Sequence, residues 1–386
     1  MSETRKTLCV EKPVKLIFAG GFLGSGKTTA LGGLAKRSIE RGMRVGIITN
    51  DQSQNLADTL IVRHMLKELQ VPVEEVVEGC FCCKFNDLIN QMEKILANHP
   101  DVLMGEPVGS CTDFVAAVAN PIKIHYRDAF RFAPFCTLVD PDRVRTLLLA
   151  EVETNFPEEV SYLFRKQLEE ADIIVLNKID LINPQERDRL LAALSQEFPG
   201  KQVLPISAIR GDNLDSWLDR LISGKPGANT VLSQIDYDRY ARAEAILGWL
   251  NSAVKLSAEK SLDAGQFLRA LMLDLRQAFT EINAEIGHLK CVLTGGGRAI
   301  WTNLTHLSAE PTITDTQFGA FNHGTLLINA RVKLEPESLE QLVRGCLERV
   351  CQNLEASFEV DDLQCFSPAY PNPPYLVRET ISWSQG

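Results

Sequence analysis

A glycine-rich loop near the start of the chain constrains the fold more than any other feature. The apolar run VKLIFA (residues 14–19) is followed by GFLGSGKT (21–28) and then by a helix-compatible stretch. The order strand, loop, helix, with the spacing Gly-x4-Gly-Lys-Ser/Thr, is that of a loop whose backbone N–H groups wrap a phosphate. Lys27 would reach the β- and γ-phosphates of a nucleotide, and the Thr28 hydroxyl would ligate Mg²⁺. The predicted phosphate-binding residues are Gly21, Gly24, Ser25, Gly26, Lys27, Thr28 and Thr29.

Buried-looking strands alternate with helical patterns through the first 220 residues. After residues 14–19, further strand candidates lie at 44–49, 73–77, 101–104, 135–139, 172–176 and 202–206. This alternation predicts an α/β fold of the P-loop NTPase type, a mainly parallel sheet with helices on both faces. A linker-like stretch, SGKPGANTVLS, follows at 223–233. It divides the chain into a P-loop domain, residues 1–225, and a smaller α+β domain with an irregular tail, residues 226–386.

Composition narrows the class of protein and its partners. The formal net charge of -10 argues against a nucleic-acid partner, because phosphate backbones are bound by basic surfaces. No apolar run approaches the roughly 18 residues that cross a bilayer, so no membrane partner is expected. The first residues, MSETRKTLCVEKP, lack the apolar core of a secretory signal. We therefore expect a cytoplasmic protein.

A second motif predicts which base is bound. The strand DIIVL leads into Asn177, Lys178 and Asp180. A carboxylate at Asp180 can accept hydrogen bonds from N1 and N2 of guanine, whereas adenine has no such pair of donors, and the Lys178 stem can lie along the base. Ser207 and Ala208 follow the next strand. Together with the phosphate loop, these residues predict a guanine nucleotide, GTP or GDP with Mg²⁺.

Two acidic residues compete for the role of second magnesium ligand. Asp51 follows the strand RVGIITN, and Glu106, in GEPVG, follows DVLM. Magnesium in such sites takes a carboxylate from the end of a neighbouring strand, directly or through water. Both remain candidates here. Lys27 and Glu106 are the candidate catalytic residues, and no glutamine stands where a water-positioning side chain would be expected.

Three cysteines in four positions form the most unusual stretch, EGCFCCKFNDL (78–88). Thiolates suit zinc and related transition metals. In an extended segment Cys80 and Cys82 project to one face and Cys83 to the other, so all three converge only if the chain bends. Transient metal binding is the interpretation that we favour, and a permanent structural metal, redox chemistry and simple packing are the alternatives. The remaining cysteines are expected to pack as small hydrophobic residues: Cys9, Cys111, Cys136, Cys291, Cys346, Cys351 and Cys365.

In their order along the chain, these motifs resemble the CobW/HypB/UreG class of GTPases. The phosphate loop, Asn50-Asp51, the Cys-x-Cys-Cys element, Glu106-x-x-Gly109 and Asn177-Lys178-x-Asp180 carry the resemblance, and the cysteines look like the CobW branch. Two features depart from that branch: NDQSQ replaces the usual acid-Phe-Gly after Asn50, and the six histidines are dispersed. The resemblance also implies a CobW-type C-terminal domain in residues 226–386.

The resemblance implies a GTP-hydrolysing metallochaperone that carries a transition metal, Zn²⁺ or Co²⁺, to a client metalloenzyme or cofactor-assembly protein. The implied metal ligands are Cys80, Cys82, Cys83, Thr28, Asp51 and Glu106, the last three for Mg²⁺. A homodimer is possible in this class. The alternatives are a regulatory GTPase that activates a metalloenzyme or corrinoid-dependent partner without carrying metal, and a small-molecule kinase, against which the guanine motif argues. Because the triplet lies between the phosphate loop and Glu106, we expect GTP to shape the cysteine loop and hydrolysis to open it.

Overall fold

The computed structural model describes residues 8, 10–52, 57–225, 227–314 and 318–381, which form two sheets with their helices. The first sheet has eight strands in the order β3-β2-β4-β1-β6-β7-β8, with β5 also pairing with β1. Every pairing in it is parallel. Its strands are β1 (Val14–Gly21), β2 (Val45–Asn50), β3 (Val73–Val76), β4 (Val102–Gly105), β5 (Phe130–Phe132), β6 (Cys136–Val139), β7 (Ile173–Leu176) and β8 (Gln202–Pro205).

The connecting helices cover both faces of this sheet, which confirms the predicted α/β core. They are α1 (Lys27–Glu40), α2 (Ala57–Met65), α3 (Phe85–Leu96), α4 (Asn120–His125), the single turn α5 (Pro141–Arg143), α6 (Glu158–Glu170), α7 (Pro184–Glu197) and α8 (Leu214–Ser223). The central strands are apolar along their length because helices bury them from two sides. Sequence analysis predicted seven of the eight strands; it missed β5, which is only three residues long.

Parallel strands place functional side chains at one edge. The phosphate loop follows β1, Asn50 ends β2, Glu106 follows β4, and Asn177 follows β7. In open α/β sheets, the carboxyl ends of the strands form the ligand-binding edge. The parallel sheet therefore brings the phosphate loop and Asn177 to the same edge, although Ser25 and Asn177 are 152 positions apart in the chain.

The second sheet is antiparallel, with the order β12-β11-β10-β13-β9-β14. The chain enters it through α9 (Tyr237–Ala245), and helices α10 (Ala264–Glu281) and α11 (Pro336–Asn353) pack into its core. Its strands are β9 (Gly248–Asp263), β10 (Ile286–Gly295), β11 (Arg298–Leu304), β12 (Thr312–Thr314), β13 (Ala320–Val332) and β14 (Ala356–Phe366). The predicted α+β character and the glycine turn between β10 and β11 are confirmed, whereas β12 and β14 were not anticipated. The boundary proposed between residues 225 and 226 stays a prediction, because residue 226 lies outside the described residues.

An apolar contact joins α2 to one face of the second sheet. Ile61 of α2 belongs to one buried cluster with Ala253, Val292 and Trp301. The second sheet therefore lies over the edge at which the first sheet carries its motifs.

The tail that follows β14 returns to the first domain. It forms no helix or strand over residues 367–381, yet Val377 N donates to the Ala116 carbonyl (2.9 Å) and Asn120 Nδ2 donates to the carbonyls of Val377 (3.0 Å) and Glu379 (2.9 Å). Arg378 forms an ion pair with Asp113 (2.6 Å). The irregular conformation agrees with the sequence, but the docking onto the first domain was not predicted.

Among the described residues, no helix is long and apolar enough to cross a membrane.

Candidate functional site

A pocket of about 470 Å³ lies between the carboxyl edge of the first sheet and the face of the second. The first domain lines it with the phosphate loop, Glu106 and the Asn177–Asp180 segment, and the second sheet contributes His288, Lys290 and Arg331. The predicted motifs of the nucleotide site are thus brought into one cavity. The part contributed by the second sheet was not predicted.

The phosphate loop holds its shape through glycine and through lysine. Gly26 has φ +88°, and a Cβ there would come within 2.4 Å of Asn177 Nδ2, so only glycine fits. Lys27 Nζ donates to the Gly21 carbonyl at 2.8 Å, and burial lowers the pKa of this lysine. Ser25 Oγ is buried without a hydrogen-bond partner among the described residues. These features fit a loop built around an anionic ligand.

The base-binding residues are held together by hydrogen bonds that connect three loops. Asn177 donates from Nδ2 to the Ser25 carbonyl (2.8 Å) and accepts at Oδ1 from the Ala208 N–H (3.0 Å). Ser207 Oγ donates to Asp180 Oδ1 at 2.6 Å. Lys178, which has φ +60°, lies 3.8 Å from the Asp140 carboxylate. The base end of the pocket is therefore preorganised, with all the predicted guanine-binding residues adjoining one another.

Two carboxylates flank the Thr28 hydroxyl. Thr28 Oγ1 lies 2.7 Å from Asp58 Oδ1 and 2.9 Å from Glu106 Oε1, and its one proton can be donated to only one of them. Burial, reinforced by the charge of Asp58, raises the pKa of Glu106 to about 7. The other Glu106 oxygen, Oε2, is buried and has no partner among the described residues. Hard oxygen donors with an unsatisfied carboxylate oxygen fit a magnesium ion.

Asp51, the other candidate magnesium ligand, is engaged elsewhere. Its Oδ1 and Oδ2 accept from Arg331 Nη2 at 2.8 and 3.1 Å, and Asn329 Nδ2 donates to Oδ2 at 3.2 Å. A metal-ligand role for Asp51 would require this buried ion pair to open. Glu106 is therefore the better placed of the two candidates.

Sequence analysis missed Asp58 and its partner Lys290. Lys290 Nζ donates to the Asp58 carboxylate from 232 residues away. Burial alone would raise the pKa of Asp58, but the charge and hydrogen bond of Lys290 and the hydrogen bond of Thr28 hold it below its ordinary value. No local pattern marks either residue, because the contact exists only after the two domains pack.

The cysteine loop turns instead of running extended. Lys84 N donates to the Cys80 carbonyl at 2.9 Å, one helical turn on, so Cys83 comes back towards Cys80. Asn50 fixes the turn: its Nδ2 donates to the Gly79 carbonyl (2.7 Å), and its Oδ1 accepts from the Phe81 N–H (2.8 Å). The bend that convergence of the three thiols requires is therefore present, and the extended alignment of Cys80 with Cys82 is not.

A fourth cysteine lies against the triplet. Cys111 Sγ is 3.0 Å from Cys82 Sγ, and both are buried. We predicted simple core packing for Cys111; the signal available was its position two residues after Gly109 in the Glu106-x-x-Gly109 motif. Hydrogen bonds among the thiols and burial raise the pKa values of Cys80 and Cys82 well above their usual range.

One acidic residue and one tail residue lie near the four thiols. Glu244 of α9 is buried, and burial raises its pKa to about 7. Asn372 of the tail donates its N–H to Cys83 Sγ at 3.3 Å. Over the residues that the structure describes, no group of three or more His, Cys, Asp or Glu side chains is arranged to hold a metal ion as it stands. The thiols are therefore neighbours that hydrogen-bond one another, and metal binding would require them to reorient.

One backbone segment connects the pocket to the cysteines. It begins at Glu106 and ends at Cys111, and Gln167 of α6 holds its far end by donating to the carbonyls of Gly109 (2.9 Å) and Cys111 (3.1 Å). Glu170, also on α6, accepts from the Val115 N–H at 2.5 Å. Cys111 therefore follows Glu106 by only five residues along the backbone.

Comparison with known proteins finds a matching family for the first domain. Residues 15–205 match the family model described as CobW/HypB/UreG, nucleotide-binding domain. A zinc chaperone CobW from Sinorhizobium sp is 30% identical over 179 residues, which cover 42% of this chain and 50% of that protein. A zinc chaperone CobW from Pseudomonas aeruginosa is 26% identical over 251 residues, which cover 57% and 64%. The chain thus spans about half to two thirds of the length of these relatives. The Zn(II)-bound YjiA GTPase from E. coli is 15% identical, with 87% and 99% of the two chains covered and a TM-score of 0.34.

Proposed function

Since this chain belongs to the CobW/HypB/UreG family through its nucleotide-binding domain, we propose that it is a GTPase that uses GTP to control a transition-metal site at its cysteine loop. The metal, zinc or cobalt, is delivered to a client metalloenzyme or to a protein that assembles a metal cofactor. The observation that carries the proposal is the segment 106–111: Glu106 lies beside Thr28 in the pocket, and Cys111 Sγ lies 3.0 Å from Cys82 Sγ. A single short stretch of backbone belongs to both sites.

The nucleotide would be held by residues that already adjoin one another. Lys27 and the amides of residues 21–29 face the phosphates, Thr28 and Glu106 hold Mg²⁺, and Asn177, Lys178, Asp180, Ser207 and Ala208 hold guanine. Magnesium bound there would neutralise charge on the transferring phosphoryl group. Since the sequence has no glutamine where a water-positioning side chain would be expected, intrinsic turnover is expected to be slow and to rise with metal or client.

The metal would be held by Cys80, Cys82 and Cys83, with Cys111 as a fourth thiol. Four thiolates complete a tetrahedral zinc site. Because the ligating form is the thiolate, binding must release the thiol protons. The names of the curated relatives favour zinc. The proposal also includes a client protein, a homodimer and a cytoplasmic location, which are expectations.

A regulatory GTPase that activates its partner without carrying metal is the second candidate. One observation favours it: the described thiols hydrogen-bond one another and are not arranged as a metal site. In that case the cysteine loop would be part of an interface whose shape changes with the nucleotide.

A titration of the reduced protein with Zn²⁺, Co²⁺, Ni²⁺ and Fe²⁺ in the presence of GDP or a non-hydrolysable GTP analogue tests the proposal. We expect zinc affinity to differ at least tenfold between the two nucleotide states, since a ligand shifts an equilibrium only by its differential affinity. Identical affinities would remove the coupling. Cys82→Ser separates the two candidates: loss of metal binding with client binding retained supports cargo, and the converse supports regulation. Cys291→Ser, buried in the second domain, is the matched control.

A further inference from the structure

We propose that Lys290, on β10 of the second sheet, binds the terminal phosphate of GTP and so lets the second domain distinguish GTP from GDP. This inference rests on the proposed guanine-nucleotide site. It concerns a residue that neither the sequence motifs nor the matched family segment, residues 15–205, includes.

The position of Lys290 follows from a shared atom. Lys290 Nζ and Thr28 Oγ1 are both hydrogen-bonded to Oδ1 of Asp58. In P-loop proteins the threonine at this position ligates the magnesium that bridges the β- and γ-phosphates. Lys290 therefore presents its ammonium group one carboxylate oxygen away from the residue that marks the terminal phosphate.

The side chain of Lys290 is mostly shielded from solvent and lines the pocket. Its side chain is 16% exposed, that of Asp58 is 15% exposed, and both residues line the cavity. A buried ammonium group is costly unless paired. Asp58 provides that anionic partner in this structure, and a phosphate oxygen is an alternative partner that carries negative charge as well. A lysine held in this way can exchange one anion for another with little movement of the backbone.

The second sheet also contacts the other end of the segment that follows β2. Arg331 on β13 holds Asp51 through two hydrogen bonds, as Lys290 holds Asp58. Strands β10 and β13 pair directly. Two directly paired strands of one sheet thus carry two cations that line the pocket. We infer that a change in the anion bound by Lys290 would also shift β13, which pairs with β10.

An interdomain ion pair of purely structural value is the competing explanation. It predicts that loss of Lys290 weakens both nucleotides alike, through a misplaced domain. Contact with the terminal phosphate predicts an effect on GTP alone, because GDP lacks that group. Comparing the two nucleotides therefore separates the explanations.

The test uses the full chain with Mg²⁺ and measures equilibrium binding of fluorescent GDP and of a fluorescent non-hydrolysable GTP analogue. For Lys290→Met we expect analogue affinity to fall at least tenfold while GDP affinity stays within twofold; Lys290→Arg should retain most of the analogue affinity. Lys255→Met, in an exposed ion pair with Asp361 on the same sheet, is the control and should change neither affinity.

The double variant Asp58→Asn with Lys290→Met guards against an unpaired buried carboxylate. Thermal melting should show that this variant stays folded. Its affinity for the analogue relative to GDP should still be lower than that of wild type. Unchanged binding of both nucleotides to Lys290→Met, or an equal loss of both, would overturn the inference. If the wild-type protein bound neither nucleotide, the proposed function would fail instead, which is a distinct result.

Discussion

The nucleotide pocket and the cysteine loop differ in how completely each is built. In the pocket, Asn177 already joins the base loop to the phosphate loop, and Glu106 keeps an unsatisfied oxygen for a cation. At the cysteine loop, the thiols hydrogen-bond one another and disfavour the thiolate form. The pocket is preorganised for its ligand, whereas the cysteine loop must reorganise. Control of one site by the other requires that the two arrangements of the cysteine loop differ in their affinity for the nucleotide.

The largest effect is expected from Lys27→Ala, which should abolish nucleotide binding and turnover in the pocket and leave metal binding by the cysteines unchanged. Removing the buried ammonium group leaves the phosphates without their main cation, so GTP hydrolysis should fall by about a thousandfold or more. Nucleotide affinity and turnover are the measurements, with Lys36→Ala on the same helix as an exposed control. Zinc affinity without nucleotide should not change; if it falls, the two regions are not separable.

Asp180→Asn should sharpen the assignment of the base end of the pocket. An amide at this position cannot accept both guanine donors but can donate to the carbonyl at C2 of xanthine, so GTP affinity should fall about a hundredfold while XTP gains. Competition between GTP, ITP and XTP measures this. Asp188→Asn, on the surface of α7, should leave the order of the three nucleotides as in wild type. Equal losses for GTP and XTP would point to collapse of the loop.

Cys111→Ser tests whether the cysteine loop extends to a fourth thiol. If Cys111 completes the site, zinc affinity should fall about tenfold, since a hydroxyl is a poor ligand for this metal. Nucleotide affinity should stay within twofold. Isothermal titration of the reduced protein is the measurement, and Cys291→Ser controls for loss of a buried thiol. Zinc affinity equal to wild type would confine the site to the triplet.

The smallest effect on either region is expected from Glu170, which accepts a hydrogen bond from the Val115 N–H just beyond the segment 106–111. Burial, aided by Asp113, raises the pKa of Glu170 from 4.5 to about 8. Because the folded state binds this proton more tightly than the unfolded state, the contribution is full below pH 4.5 and is lost as pH rises towards about 8. Relative to Glu170→Gln, wild type should lose up to roughly 4 kcal/mol of unfolding free energy over that window, since each pKa unit corresponds to about 1.4 kcal/mol.

Denaturant unfolding at a series of pH values measures the effect of Glu170, and the difference between the two curves isolates it from other carboxyl groups. Glu169→Gln, the adjacent residue, should follow the wild-type curve. Parallel curves for wild type and Glu170→Gln would mean that this carboxyl group does not titrate differently on folding.

The sequence was most informative where function depends on contiguous residues. Gly21–Thr28 and Asn177–Asp180 each carry their backbone requirement within one short stretch, so their chemistry and their placement after apolar strands could be predicted together. The rule that parallel strands end at one edge identified Glu106, 78 residues from Thr28, as one of two acids that could lie beside it, the other being Asp51.

Contacts between distant surfaces could not be predicted in the same way. Lys290 meets Asp58 over 232 residues without a local pattern, and Cys111 meets Cys82 over 29, with its position just after the Glu106-x-x-Gly109 motif as the only local signal. For Asp51, the sequence identified a strand-end acid but not its partner, Arg331, which belongs to the other domain. Such residues acquire their role from packing, and their own sequence neighbourhoods are ordinary.

The docked tail has a mechanical consequence for the second domain. The chain enters that domain through α9, which packs on α6, and leaves it through residues 372–381, which hydrogen-bond to Ala116 and Asn120. The second domain is therefore secured at both ends of its chain, in addition to the ion pairs Arg331–Asp51 and Lys290–Asp58 that join it to the first domain. Deleting residues 372–381 would leave its chain attached to the first domain through α9 alone.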